Sequence, residues 1–277
     1  MPSRWELVLA GPAGTPVPLT APHAVVSGWL DDPPAGHAAG RPGQARRSGH
    51  EDQARKWACG PMRAVPASGP GHAVALIALQ VRLLDDSLAD RLSAAIVAGA
   101  RVRLGARHFE VTQPLALVEQ ASWQALRHWP GTRAWQLRFV TPACFRHGNR
   151  TSPWPAPEAV ARGLADRWRR LDPGTAPPPA APGPGTIWVS DLDGRNEVQA
   201  LTRKVRRDGG WQPREEIISG YTGRIRYACD QGADDAAAFH ALMSFAAYAG
   251  VGAHTTYGFG VVCPEPTWQP PSHSEAT

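Results

Sequence analysis

The sequence predicts an α+β protein made of two tandem ferredoxin-like domains, each with the element order β-α-β-β-α-β. Three observations support this prediction. Apolar residues alternate over short runs, as in strands, and recur at helical spacing between those runs. The same succession of elements occurs twice along the 277 residues. A break at His128–Gly131 separates the two occurrences, so we expect domains at residues 1–130 and 131–264 and a disordered tail at residues 265–277.

The elements of the first half follow from periodicity and from capping signals. Ser87 and Asp90 resemble a capping box that would start the second helix. Residues 33–49 are rich in Pro, Gly, Ala and Arg without periodicity, which indicates a mobile loop. The predicted elements are a strand around Trp5–Leu9, a helix at Pro22–Leu30, extended segments at Cys59–Val65 and Ala73–Leu84, a helix through Leu88–Ile96 and an extended segment at Val102–Val111.

The second half repeats this order. A Pro-rich stretch at residues 172–185 fits neither a helix nor a central strand and predicts a stiff connector. Asp191–Gly194 is expected to form a turn rather than a calcium loop. The predicted elements are a strand at Trp135–Phe139, a helix at Val160–Leu171, extended segments near Ile187–Val189, Val198–Val205 and Ile217–Cys229, a helix through Phe239–Ala246 and a strand at Val261–Cys263.

Composition limits the classes of partner. Lys and Arg exceed Asp and Glu by 29 to 24, and the resulting net charge of +5 favours anionic partners. No apolar run reaches the roughly 18 residues that span a bilayer, and the N-terminus lacks the apolar stretch of a signal peptide. The four cysteines lie far apart without a CxxC motif. We therefore expect a cytoplasmic protein with no membrane partner, no metal and no cofactor.

Residues 250–260 contain four glycines around two threonine hydroxyls and one imidazole. Because glycine has no Cβ, the backbone amides of such a segment can approach a polyanion closely, which suits phosphate. A second interpretation is that the glycines only permit a tight turn from helix to strand. The predicted phosphate-binding residues are Gly250, Gly252, His254, Thr255, Thr256, Gly258 and Gly260.

Three segments resemble the CRISPR-associated endoribonucleases that cut precursor CRISPR RNA within its repeats. They are Thr141–Arg146, Gly220–Tyr227 and, after an Ala-rich helix, Gly250–Gly260. The resemblance covers residues 134–263, and the first half matches the family in element order alone. It implies two RRM-like domains that bind repeat RNA, both precursor and mature, with other subunits of a CRISPR effector complex as further partners.

The resemblance also implies a metal-independent reaction, in which the ribose 2′-hydroxyl attacks the scissile phosphate and leaves a 2′,3′-cyclic phosphate and a 5′-hydroxyl. This chemistry needs a base, an acid and a cation that stabilises the phosphorane. His50 and Lys56 match the family's loop histidine and the lysine before its second strand. His23 is the alternative base, and His37 lies in the same loop as His50. Ser27 stands near the place of the family's helix tyrosine.

Clustered basic residues supply the predicted contacts to RNA phosphates. Those on an extended segment would project from both of its faces, although a solvated hairpin would show the same pattern. The predicted contacts are Arg203, Lys204, Arg206 and Arg207 on that segment and Arg146 and Arg150 near the first family-like motif. Four arginines of the helix at Val160–Leu171 are instead expected to form an ordinary polar face: Arg162, Arg167, Arg169 and Arg170.

Two other functions stay open on the sequence alone. A non-catalytic relative that binds repeat RNA as a structural subunit of an effector complex would share the three motifs, and the missing helix tyrosine favours it. A DNA-binding or protein-interaction module would account for the positive charge but not for the three ordered motifs.

Overall fold

The computed structural model describes residues 1–12, 17–31, 55–65, 74–148, 150–178, 182–207, 210–230 and 232–265. These residues form two α+β halves with helices packed on antiparallel sheets, which confirms the predicted fold class. The loop expected at residues 33–49 lies outside the described residues. Of the disordered tail expected at residues 265–277, Glu265 is described and instead ends the last strand, and the rest lies outside the described residues. Among the helices that are described, none is long and apolar enough to cross a bilayer.

The first half follows the predicted order with additional strands. Its sheet has the order β2-β3-β1-β5-β4, and β6 also pairs with β1. The elements are β1 (Ser3–Pro12), α1 (Ala21–Leu30), β2 (Trp57–Val65), β3 (Val74–Leu83), α2 (Ala89–Ala95), β4 (Arg101–Leu104), β5 (Arg107–Val111) and β6 (Ala116–Gln120).

Two details of the first half differ from the prediction. The extended segment expected at Val102–Val111 is a hairpin of two strands, because Gly105 adopts a φ of 63° in the turn between β4 and β5. The capping box expected at Ser87 is wrong. The side chain of Asp85 accepts a hydrogen bond from the Ser87 backbone N–H at 3.0 Å, and a 3-10 turn precedes α2. Asp85 thus caps the 3-10 turn that follows β3.

The second half is built on a four-stranded sheet of order β10-β11-β7-β12. A one-turn helix leads into this half, and β8 and β9 form a separate small hairpin. The elements are α3 (Trp123–Leu126), β7 (Ala134–Ala143), β8 (Phe145–His147), β9 (Arg150–Ser152), α4 (Pro157–Leu171), β10 (Ile187–Arg207), β11 (Gly210–Cys229), α5 (Ala233–Ala249) and β12 (Val262–Glu265).

β10 and β11 form one long hairpin where the sequence predicted three shorter extended segments. The strands have 21 and 20 residues and pair along their whole length with one irregularity. The turn expected at Asp191–Gly194 is therefore wrong, since these residues lie within β10. Gly194 is instead required by close packing, because a Cβ there would stand 2.5 Å from the Tyr221 hydroxyl.

The outer half of this hairpin extends past the sheet, since β7 pairs with β11 only between Tyr221 and Ala228. We call this outer half, Val198–Arg207 with Gly210–Ser219, the hairpin arm. At its base, the buried side chains of Leu201 and Ile218 pack in one apolar cluster with Cys144, Ala253 and Phe259. The arm is therefore fixed to residues 250–260, the glycine-rich segment, which contributes two members of that cluster.

Each half has its own apolar core between its sheet and its helices. Leu7, Leu79 and Leu92 belong to the first core. The second core contains Trp168 and Phe239, and it also takes in Leu84, which directly follows β3. The two halves are therefore packed against each other at their junction.

Candidate active site and nucleic-acid interface

The candidate site lies where α1 and the start of β2 meet the glycine-rich segment of the second half. β2 and α1 both contact the 3-10 turn at Thr255–Tyr257. Of the four predicted catalytic residues, Lys56, His23 and Ser27 are described, and His50 lies outside the described residues, as does His37. The structure thus brings His23 and Ser27 of α1 to the same junction as Lys56.

Lys56 directly precedes β2 and has a largely exposed side chain. Its Nζ donates a hydrogen bond to Asp85 Oδ2 at 2.5 Å. Partial burial raises the pKa of Asp85, whereas the hydrogen bonds from Lys56 and Ser87 lower it, and the net result is a pKa below the ordinary value. Asp85 is therefore ionised at neutral pH and provides Lys56 with a fixed counter-charge.

His23 is held by the second half rather than left open on α1. Its ring stacks on Tyr257, with ring centroids 3.6 Å apart and planes inclined by 17°. Nδ1 lies 3.0 Å from the Thr256 carbonyl oxygen, and Nε2 lies 3.2 Å from Arg55 Nη1. Arg55 Nη1 also lies 3.5 Å from Nδ1. Because a carbonyl oxygen can only accept, Nδ1 carries a proton and donates it to Thr256. Both ring nitrogens of His23 thus have polar contacts.

Asp31, directly after α1, connects this helix to the start of β2. Its Oδ2 accepts a hydrogen bond from Ser27 Oγ at 2.5 Å and forms an ion pair with Arg55 at 3.3 Å. Its Oδ1 accepts from Trp57 Nε1 at 2.8 Å. The Arg55 guanidinium also lies 5.4 Å from the Trp57 ring centroid. Ser27 therefore serves a hydrogen-bond network that fixes α1 to β2.

Sequence reasoning missed the parts that Arg55, Asp31 and Tyr257 take in this site. Asp31 and Arg55 flank the aperiodic insert on its two sides, and opposite charges in those positions were the available signal. Tyr257 lies within the glycine-rich segment, where the aromatic ring could have been weighed as a packing surface. No local pattern pairs Tyr257 with His23, because the two residues are far apart in sequence.

The glycine-rich segment is packed inside the protein, which corrects the expectation of an open phosphate loop. His254, Thr255 and Thr256 are 1%, 3% and 0% exposed. A Cβ on Gly252 would stand 2.4 Å from the Cys144 carbonyl oxygen, and one on Gly260 would stand 1.8 Å from the Val251 carbonyl oxygen. The glycines are required by backbone packing.

This burial removes the segment from direct RNA contact in the present conformation. Gly252 is half-buried, and the other six predicted contacts are buried: Gly250, His254, Thr255, Thr256, Gly258 and Gly260. The second sequence interpretation, a tight turn between helix and strand, describes the segment better.

Arg167 was expected on a solvated face of α4, and that expectation is wrong. Its side chain is buried, and Nη1 donates to the Ala249 carbonyl at 2.6 Å and to Thr255 Oγ1 at 2.8 Å. Nη2 donates to the Trp57 carbonyl at 3.0 Å. Arg162 and Arg170 are exposed as expected. Helical periodicity could not separate Arg167 from them, because its acceptors come from distant segments.

The remaining predicted contacts lie on two neighbouring hairpins. Arg146 and Arg150 are exposed on the β8–β9 hairpin, and β9 contacts β11. In the hairpin arm, pairing places Arg203 opposite Arg214, and Lys204, Arg206 and Arg207 follow toward the tip. Basic residues of both hairpins are thus concentrated on one part of the second half.

A group of three or more Cys, His, Asp or Glu side chains placed to hold a metal ion does not occur among the described residues.

The model of a family described as CRISPR-associated endoribonuclease Cas6 matches residues 137–262. Comparison with curated protein sequences finds no match.

Solved structures match almost the whole chain. A product complex of Cas6 (TTHA0078) has a TM-score of 0.66 at 24% identity and covers 96% of this chain and 99% of its own. A substrate mimic complex of Cas6 (TTHA0078) has a TM-score of 0.62 at 25% identity, covering 95% and 99%. Thermus thermophilus Cas6 (TTHB231) has a TM-score of 0.59 at 20% identity, covering 96% and 99%.

Proposed function

We propose that this chain, whose residues 137–262 match the Cas6 family of CRISPR-associated endoribonucleases, cleaves precursor CRISPR RNA within the repeats and so releases guide RNAs. The observation that carries this proposal is the likeness of nearly the whole chain to a Cas6 solved with a substrate mimic, together with the family match in the second half. Repeat RNA is then the partner, and a stable product complex would allow the protein to deliver its guide to other effector subunits.

The proposed reaction is an internal transesterification. The ribose 2′-oxygen forms a bond to phosphorus, the bond from phosphorus to the 5′-oxygen breaks, and the products carry a 2′,3′-cyclic phosphate and a 5′-hydroxyl. We assign proton transfer to His50, since an imidazole with an ordinary pKa near 6.5 exchanges protons readily at neutral pH. We assign stabilisation of the phosphorane charge to Lys56, whose side chain is largely exposed beside the junction.

His23 is the less suitable base in this proposal. Its Nδ1 donates to the Thr256 carbonyl, and the Arg55 guanidinium lies 3.2 Å from Nε2. Removing a proton from RNA through His23 would require this hydrogen bonding to be exchanged first. The proposed role of His23 is therefore to hold α1 on the second half, close to Lys56.

Chelation of metal ions and a modified RNA substrate test the proposed mechanism. Cleavage of the cognate repeat should persist in excess EDTA, because the nucleophile is internal to the substrate, and a 2′-deoxy substitution at the scissile nucleotide should abolish it. Product ends are assigned by treatment with phosphatase and polynucleotide kinase. Loss of cleavage on chelation with recovery on adding magnesium would reject the mechanism. Tight binding of repeat RNA without any cleavage would support the non-catalytic structural subunit instead.

We further propose that the hairpin arm binds RNA phosphates, which the concentration of basic residues on its strands supports. Replacing Arg203, Lys204, Arg206 and Arg207 together with glutamine should weaken repeat-RNA binding and flatten its salt dependence. Each lost phosphate contact removes about 0.7 to 0.9 from the slope of log K against log salt. Filter binding at several salt concentrations measures this slope.

The matched control replaces with glutamine four arginines that lie outside both hairpins of the second half: Arg101, Arg103, Arg107 and Arg127. It changes net charge equally, so a purely non-specific charge effect would alter both variants alike. Equal slopes for the two variants would locate the RNA away from the arm.

A further inference from the structure

Arg167 connects the two halves through a single side chain. It belongs to α4 of the second half, and its Nη1 donates within that half to the Ala249 carbonyl and to Thr255 Oγ1, at 2.6 and 2.8 Å. Its Nη2 donates across the junction to the Trp57 carbonyl at 3.0 Å, with the Arg55 carbonyl at 3.4 Å. One planar guanidinium therefore binds oxygens of both halves, through Nη1 in the second half and through Nη2 in the first.

These contacts fix the position of the Arg167 guanidinium relative to both halves. These four acceptors are three backbone carbonyls and one hydroxyl, and each accepts from a defined nitrogen of the guanidinium. Burying a charged group is unfavourable unless it is hydrogen-bonded, and these hydrogen bonds require a fixed geometry. The Ala249 carbonyl adds a further favourable interaction, since Ala249 ends α5 and the C-terminal end of a helix carries a partial negative charge. A small displacement of the junction would break several of these bonds together.

The segment that Arg167 holds is the one that carries Lys56. Carbonyls on both sides of Lys56, from Arg55 and Trp57, face Arg167, and the Lys56 carbonyl itself accepts from the Leu84 N–H at 2.8 Å. Three successive carbonyls are thus fixed while the Lys56 side chain stays exposed. The second half, in turn, bears the hairpin arm and the β8–β9 hairpin.

We propose that Arg167 is a positioning residue for RNA cleavage, which sets the place of Lys56 relative to the RNA-holding surface of the second half. The inference rests on the proposed function. Arg167 acts through Lys56 and does not touch the RNA, because its side chain is buried. A misplacement of about 1 Å at a reacting group can cost on the order of a hundredfold in rate, so loss of this geometry should be visible in the chemical step.

Arg167→Lys tests the proposal, since lysine keeps the charge but cannot donate from two edges of a plane. At saturating protein, single-turnover cleavage of repeat RNA should fall by about tenfold to a hundredfold, while the Kd for the RNA stays within about threefold of wild type. The same change in a Lys56→Ala background should reduce the rate much less, because the residue through which Arg167 acts is already gone. Arg169→Lys, on the same helix and paired with Asp166, is the control and should keep the wild-type rate.

A merely structural residue would lower thermal stability without this dependence on Lys56. Thr255→Val provides a second, milder variant, because it removes one acceptor of Nη1 and leaves Arg167 in place; it should lower the rate in the same Lys56-dependent way. Equal fold-losses with and without Lys56, or a folded Arg167→Lys that cuts at the wild-type rate, would overturn the inference alone. Failure of both variants to fold would make Arg167 a stability residue and overturn it as well. A wild type that binds but never cuts its repeat would overturn the proposed function first.

Discussion

His50→Ala should slow single-turnover cleavage of the cognate repeat by on the order of a hundredfold or more, the usual contribution of a positioned acid or base. The loss should lie in the chemical step, so the Kd for the RNA should change little. Measuring both quantities, with protein in excess over labelled RNA, separates catalysis from binding. Lys56→Ala should also slow the chemical step, because it removes positive charge beside the phosphorane.

His108→Ala is the matched control for this experiment, since His108 is exposed on β5 in the first half. It should cleave at the wild-type rate. His23→Ala should lower thermal stability, because the mutation removes the stacking on Tyr257 and the hydrogen bond to Thr256. If His50→Ala cleaves normally and a folded His23→Ala does not, the base is His23 and the assignment to His50 is wrong.

Gly260→Ala should destabilise the folded protein by about 3 kcal/mol or more, through a clash combined with backbone strain. The added Cβ would stand 1.8 Å from the Val251 carbonyl oxygen, and φ at Gly260 is +63°. The Gly260 backbone also donates to the Pro142 carbonyl and accepts from the Val251 N–H, both at 2.8 Å. The clash cannot be relieved without breaking that pair. For a chain of this size the fall in Tm should be roughly 6 °C or more.

Gly99→Ala separates the clash from the strain. Gly99 has a φ of +82°, and a Cβ there would meet nothing within 4 Å. Alanine at this position should therefore cost about 1 kcal/mol, which is the conformational penalty alone. Thermal unfolding followed by circular dichroism compares the two variants directly. A Gly260→Ala variant that melts at the same temperature as Gly99→Ala would contradict this prediction, because it would show that the backbone of the glycine-rich segment shifts to relieve the clash at little cost in stability.

The sequence was sufficient for features that depend on local periodicity. The strands around Leu7 and Leu137 and the helices α1, α4 and α5 lie where alternation and helical spacing predicted them. The family resemblance carried by the second half is confirmed by the family match over residues 137–262. These features need only the pattern of apolar residues within one segment, or a motif order along the chain.

Features that depend on distant partners could not be predicted. The helical spacing of apolar residues in α4 does not distinguish Arg167 from its exposed neighbours. Arg167 is buried because it binds acceptors more than 80 positions away, at Trp57, Ala249 and Thr255. The role of Gly260 likewise depends on the carbonyl of Val251, which only the folded turn brings close. The long β10–β11 hairpin was divided in the prediction because charged residues interrupt its alternation, and exposed strands tolerate such interruptions.

The contact between His23 and Thr256 joins positions 233 residues apart, one from the first helix and one from the last turn before the final strand. During synthesis, α1 and the start of β2 therefore leave the ribosome long before the segment on which they pack. Contacts of such long sequence separation carry a large cost in loop-closure entropy. The junction around Lys56 is completed only when nearly the whole chain has emerged, so an incompletely translated chain lacks the segment that completes the site.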